Sequence, residues 1–166
     1  MPSSRRRSTR SEGGQAIVIL AVAVAGVLAM SALLIDGGNA MAQQRGTQNA
    51  ADAAAYAGAS ELLQNIAGTA RNDADVESAV LGALAINDTT FEDAWYVDFD
   101  GNEVGTVGQG GAIPSSAAGV RVVGQRSMGT YLAGVINMSS IDVSAEATAL
   151  AGSISGICAA VDGCAM

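Results

Sequence analysis

The chain contains no histidine and no lysine, and aromatic residues make up only 4% of its 166 positions. Without histidine there is no Ser–His–Asp or Cys–His arrangement, no histidine-ligated metal and no imidazole base. All 8 basic residues are arginines, and four of them stand among the first ten positions. The rest of the chain is too poor in cations for a nucleic-acid footprint. Two cysteines are too few to build a disulfide-held miniature fold. Bulky apolar side chains are scarce, so an independent core must be modest.

What is abundant is small. There are 33 alanines and 21 glycines, about a third of the chain, and 49% of residues are apolar. The net charge is nevertheless −8. A chain can be acidic and apolar on average only if the two properties sit in different places. They do. Residues 1–14 carry Arg5, Arg6, Arg7 and Arg10 against Glu12, a net of +3, and residues 15–166 carry −11. Between them residues 16–35, AIVILAVAVAGVLAMSALLI, form an uncharged run closed by Asp36.

A helix of that length spans about 30 Å, one hydrocarbon core. Gly26 and Ser31 are its only soft spots, and membrane helices tolerate both. A cleaved secretory signal has a shorter apolar stretch, although Ala40-Met41-Ala42 fits a small-x-small cleavage pattern. A buried core helix would need bulky neighbours that the remaining sequence does not supply. A membrane anchor is the reading adopted. The arginine cluster then places the N-terminus in the cytoplasm and the rest outside. The chain divides into a basic cytoplasmic segment (1–14), a transmembrane helix (15–36), an Ala-rich helical region (37–90), a small antiparallel β region (91–152) and a tail (153–166).

Ala51, Ala54, Ala55, Gly58 and Leu62 recur at i, i+3, i+4, i+7 and i+11, one helical stripe of mostly small residues. Either it reflects helix propensity alone, or it is a packing face for a second helix or a neighbouring subunit. A long helix over about 16–66 is expected, weakened near Gly37, Gly38 and Gly46. A second helix is expected over 74–86, capped at Asn72-Asp73, with Val76, Val80, Ala83 and Leu84 inward. Residues 94–99 and 103–107 flank Asp100-Gly101-Asn102, a hairpin signal. Val120 and Val122 begin a third strand. Residues 128–136 suggest one or two helical turns burying Tyr131, Leu132, Val135 and Ile136. Ile141, Val143, Ala145, Ala147 and Ala149 alternate with polar residues as a fourth strand. The fold class expected is α+β: a long N-terminal helix, membrane-spanning at its start, packed on a small antiparallel sheet.

No arrangement of side chains supports catalysis, and no cofactor or small-molecule substrate is implied. The residues Asp98-Phe99-Asp100-Gly101-Asn102-Glu103 resemble a calcium loop, but Glu103 stands at the sixth position, where glycine is needed, and Gln109 at the twelfth, where glutamate is needed. A solvated turn explains them. Asp142-Val143-Ser144-Ala145-Glu146 has the Asp-x-Ser alternation of a metal-ion adhesion motif, and an alternating strand explains it better. Gly108-Gln109-Gly110-Gly111 precedes no P-loop lysine and reads as a flexible loop. There is no G-x-S-x-G nucleophile motif. Cys158 and Cys164 could close a small disulfide loop outside the cytoplasm.

Residues 12–59 resemble the N-terminal segment of the TadE/TadG-like Flp (tight-adherence) pilus-assembly proteins. The resemblance lies in a Gly-Gln pair at Gly14-Gln15, the apolar helix, Asp36-Gly37-Gly38 in place of the family's Asp-x-Gly, and Gln48-Asn49-Ala50-Ala51-Asp52-Ala53-Ala54-Ala55. A weaker likeness continues in Gly119-Val120-Arg121-Val122, Thr130-Tyr131-Leu132-Ala133 and the strand from Val143 to Ala149. It implies a pilin-like envelope protein that acts as an accessory or minor component of pilus assembly or a related secretion system. Its partners would be the membrane and other pilus-assembly or pilin-like subunits, and its place the bacterial cytoplasmic membrane or a surface pilus. Gly14 and Gln15 flank the candidate processing site. Filament pilins carry Glu five positions after theirs, where this chain has Ile19 or, for cleavage after Gly13, Val18. Such a Glu would neutralise a neighbour's terminal amine in an apolar bundle; its absence favours the TadG-like branch. The alternative function is a soluble secreted binding domain released by cleavage after Ala42.

Overall fold

The computed structural model describes residues 13–152. It contains two helices and one four-stranded antiparallel sheet, in the order α1 (Gly13–Ile66), α2 (Asp73–Ile86), β1 (Thr90–Val97), β2 (Glu103–Thr106), β3 (Gly119–Gly129), a 3-10 turn (Ala133–Ile136) and β4 (Ser140–Leu150). The α+β expectation is met, and the strand order across the sheet is β2-β1-β3-β4.

Helix α1 runs without interruption for 54 residues, about 80 Å at 1.5 Å per residue. It continues through Gly37, Gly38 and Gly46, where the sequence had suggested weakening. Its N-terminal part is long and apolar enough to cross a membrane, and no part of that window is buried against the protein. Beyond Asp36 one face turns inward: Thr47, Ala50, Ala51, Ala54, Ala55, Ala59 and Leu62 are all buried.

The helix changes character because its inward residues become small. Ala and Gly side chains let α2 and the sheet approach the α1 backbone closely, so the core forms without many bulky residues. Val76, Val80 and Leu84 of α2 meet Ala94 and Tyr96 of β1, Val120 and Val122 of β3 and Ala145 and Ala147 of β4 around the alanine face. Among the described residues Tyr96 is the largest fully buried side chain. Among the described glycines of α1, Gly58 marks the tightest approach: a Cβ there would lie 3.0 Å from Val80 Cγ2 and 3.1 Å from Val120 Cγ1.

Helix α2 starts at a reciprocal cap. The Asn72 side chain accepts from the Asp75 N–H at 3.2 Å, and the Asp75 carboxylate accepts from the Asn72 N–H at 2.9 Å. Two otherwise orphaned donors are thereby satisfied. The helix returns alongside α1 and ends at Asn87, whose side chain donates to the Ala83 carbonyl at 2.8 Å. In β4, Val143, Ala145 and Ala147 point inward while Asp142, Ser144 and Glu146 face solvent, which explains the alternation without a metal. The segment before β4 differs from expectation. Met128 belongs to β3, only Ala133–Ile136 is helical, and Tyr131 and Leu132 are exposed; the side chains of Val135 and Ile136 lie outside the description.

Filling the space at Gly58 should overpack the seam. Gly58→Leu is expected to cost about 1–3 kcal/mol, and Leu84→Ala about 2–5 kcal/mol through a cavity. Ala53→Leu, on the exposed side of the same helix, should stay within about 0.5 kcal/mol. Denaturant unfolding of the reconstituted chain, followed by far-ultraviolet circular dichroism, checks all three.

Candidate functional site

Asp36 is the first charged residue after the apolar run, and it is buried. A buried carboxylate must find donors, and these come from about a hundred residues later. Asp36 Oδ1 accepts from the Tyr131 N–H at 2.8 Å, and Oδ2 accepts from Leu132 at 3.1 Å and Ala133 at 2.7 Å. Three successive backbone amides thus converge on one side chain at the start of the 3-10 turn, where such amides have no helical partner. The connection is closed on itself: Thr130 N–H donates to Ser139 at 3.1 Å, Met138 N–H to Ala133 at 3.1 Å, and Asn137 adopts the left-handed conformation at φ 67°. Asp36 therefore latches the tip of the β3–β4 hairpin to the point where α1 leaves its apolar segment. The sequence had marked Asp36 as the end of the run and as part of the family-like Asp36-Gly37-Gly38, without a partner for its carboxylate.

Above the latch, glutamines tie α1 to the sheet. Gln44 Nε2 donates to the Ser144 carbonyl and Gln48 Nε2 to the Glu146 carbonyl, each at 3.1 Å. Both acceptors lie on β4, an edge strand. Arg126 of β3 gathers three elements: Nη1 donates to Gln43 Oε1 at 2.9 Å, Nε to the Asp88 carbonyl at 3.0 Å, and Nη2 to the Asn87 carbonyl and to Thr89 Oγ1. One guanidinium, with five fixed donors, thus joins α1, β3 and the α2–β1 turn.

A third polar centre lies at the far end of α2. Asp73 is 2% exposed. Its Oδ1 accepts from Tyr96 Oη at 2.7 Å and the Gly108 N–H at 3.1 Å, and its Oδ2 from the Gly110 N–H at 2.6 Å. Its own N–H donates to the Gly111 carbonyl at 3.1 Å. Gly108, Gly110 and Gly111 all have positive φ, a conformation that glycine adopts at little cost. The segment read from sequence as a flexible loop is pinned by this carboxylate. Burial, and then the bonded Asp73 carboxylate, push the Tyr96 hydroxyl above its ordinary pKa.

The sequence-predicted positions fall as follows. Ala51, Ala54, Ala55, Gly58 and Leu62 are buried, and the face they form is occupied by α2 and the sheet of the same chain. The stripe therefore does not stand free for a neighbouring subunit. Gly14 and Gln15 lie in the first turn of α1 and are exposed. Cys158 and Cys164 lie outside the described residues. Asp98 organises a turn: its Oδ1 accepts from the Asp100 N–H at 2.9 Å and the Asn102 N–H at 2.8 Å, and its Oδ2 from Asn102 Nδ2 at 3.0 Å. The Asn102 side chain and then the Asn102 amide hold the Asp98 carboxyl below its ordinary pKa, with burial opposing. Both carboxylate oxygens are engaged by the turn itself. Among the described residues no group of three metal-ligating side chains converges.

Two outcomes follow. Asp36→Ala should accelerate amide exchange at Tyr131, Leu132 and Ala133 while leaving Val122 and Ala147, in the middle of the sheet, protected; residue-resolved hydrogen exchange reads both. Tyr96 has a raised pKa in the fold, so its contribution to stability is complete below the unfolded value of about 10 and is lost as pH rises above it. Denaturant midpoints measured from pH 8 to 11 should decline in the parent, and Tyr96→Phe should remove that component of the decline.

No curated protein and no solved structure matches the chain. A family model does match, over the residues that hold the apolar run, Asp36, the glutamines and the buried alanine face. Residues 14–61 match the family model described as putative Flp pilus-assembly TadE/G-like, so this segment is similar to that family.

Proposed function

We propose that the protein is a single-pass membrane component of Flp pilus assembly or a related secretion machine, of the TadG-like branch. Its N-terminus lies in the cytoplasm and its pilin-like α+β domain outside, and it acts by association rather than catalysis. The observation that carries the anchored reading is the Asp36 latch. The apolar run and the folded domain share one helix, and the last residue of their junction is bonded to the β3–β4 tip. Cleavage after Ala42 would remove Asp36 and leave three backbone amides without their acceptor. The Arg5, Arg6, Arg7 and Arg10 cluster supports the orientation.

With the alanine stripe filled internally, partners must use other surfaces. Two are available on α1: the lipid-facing flanks of residues 16–35, whose small residues allow close helix approach, and the outward face of the domain that includes Ala53 and the 72% exposed Tyr56. A photo-crosslinking residue placed at Ala53 or Tyr56 is expected to capture other pilus-assembly subunits in cells. Capture of nothing from either site, with wild-type levels of protein in the membrane, overturns association through this face. N-terminal sequencing of the mature protein tests anchoring: Met1 or Gln15 at the start supports it, the latter with prepilin-type processing, and Gln43 replaces it with the secreted domain.

A further inference from the structure

The β3–β4 tip presents three apolar side chains to the outside. Tyr131 is 73%, Met138 52% and Leu132 38% exposed. They belong to a connection tied to Asp36 through the N–H groups of residues 131–133 and to itself through those of Thr130, Asn137 and Met138. The apolar exposure is thus held in place on a fixed frame.

The level of the tip along α1 follows from two independent sets of contacts. Gln44 bonds Ser144 and Gln48 bonds Glu146, so β4 climbs beside α1 in the same direction. Four helix residues rise about 6 Å and two strand residues about 6.7 Å, so the two stay nearly in step. Extended backwards, Ser140 comes level with Asp36, and the Asp36 bonds to residues 131–133 put the tip at that same height. Within residues 14–35, only Ser31 and Ala32 are half-buried; all others are exposed. They lie one turn below Asp36, so the tip reaches down over the last turn of the uncharged run.

We infer that Tyr131, Leu132 and Met138 seat in the headgroup–acyl boundary of the membrane that α1 spans, as a second point of membrane contact. This inference rests on the anchored reading above. The occupant is lipid because the exposed apolar side chains of the tip are tied, through Asp36, at the level where the exposed apolar run ends. A phenol ring on a fixed backbone suits that depth, with its apolar body in the acyl region and its hydroxyl in the headgroups. Two contacts, one through the helix and one through the hairpin tip, fix the rotation and tilt of the domain over the bilayer, which a single helix does not.

The test uses the unmodified chain in phosphatidylcholine nanodiscs that carry a nitroxide near the head of the acyl chain. Relaxation enhancement is read at the amides of Tyr131, Leu132 and Met138, at Leu28 in the span, and at Phe99 on the β1–β2 turn. Strong enhancement at the tip and at Leu28, several-fold above Phe99, is the expected result. Enhancement at Leu28 with the tip no higher than Phe99 overturns the inference while the anchored reading stands, and assigns the tip surface to a protein partner. No enhancement at Leu28 overturns both. Tyr131→Ser with Leu132→Ser should lower the enhancement at Met138 without changing that at Leu28, since the latch uses backbone amides only.

Discussion

Close approach to a small-residue helix face is the constraint on which the domain depends. With few bulky residues available, apolar burial can be dense only where backbones come near one another. Alanines at 50, 51, 54 and 55 and glycine at 58 supply that nearness on α1, and β-branched valines on α2 and β3 fill the space that remains. Polar groups around that seam hold the approach in register: Gln44 and Gln48 along β4, Arg126 across three elements, and the buried Asp73 beneath Tyr96.

The same helix carries two opposite surfaces in succession. For residues 16–35 it is apolar on every side, as a lipid-embedded helix is. From Asp36 onwards one face is buried against the domain and the other carries most of the polar residues. The transition takes place at one residue, and the fold uses that residue's carboxylate to bring the end of a hairpin back to the junction. The apolar run and the domain are thus joined by continuous helix and by the Asp36 bonds, with no linker between them.

Much of this was legible in the sequence, for definite reasons. The span, α2 with its Asn72 cap, the hairpin around Asp100-Gly101-Asn102 and the alternating strand from Ile141 to Ala149 all have local, periodic signatures. The polar centres had none. Asp36 meets residues 131–133 and Asp73 meets Tyr96 and the Gly108–Gly110 amides over separations that leave no pattern in spacing. The glycine loop was read as mobile because its glycines were visible and its carboxylate partner was not. Tyr131 and Leu132 were expected inside because apolarity was equated with burial, whereas their side chains are exposed while their backbone amides are held by Asp36. The alanine stripe read equally as helix propensity or as a packing face for a second helix or a neighbouring subunit; spacing alone could not say that the chain packs against itself there.

The β4 edge has a further consequence. In an open sheet the outermost strands offer unpaired backbone groups to any extended chain that comes by. Here one outer strand, β2, is only four residues long, and the other, β4, has two of its outward carbonyls already taken by the Gln44 and Gln48 amides. The template is blunted on both sides. Strand-to-strand joining of copies through either edge is thereby disfavoured.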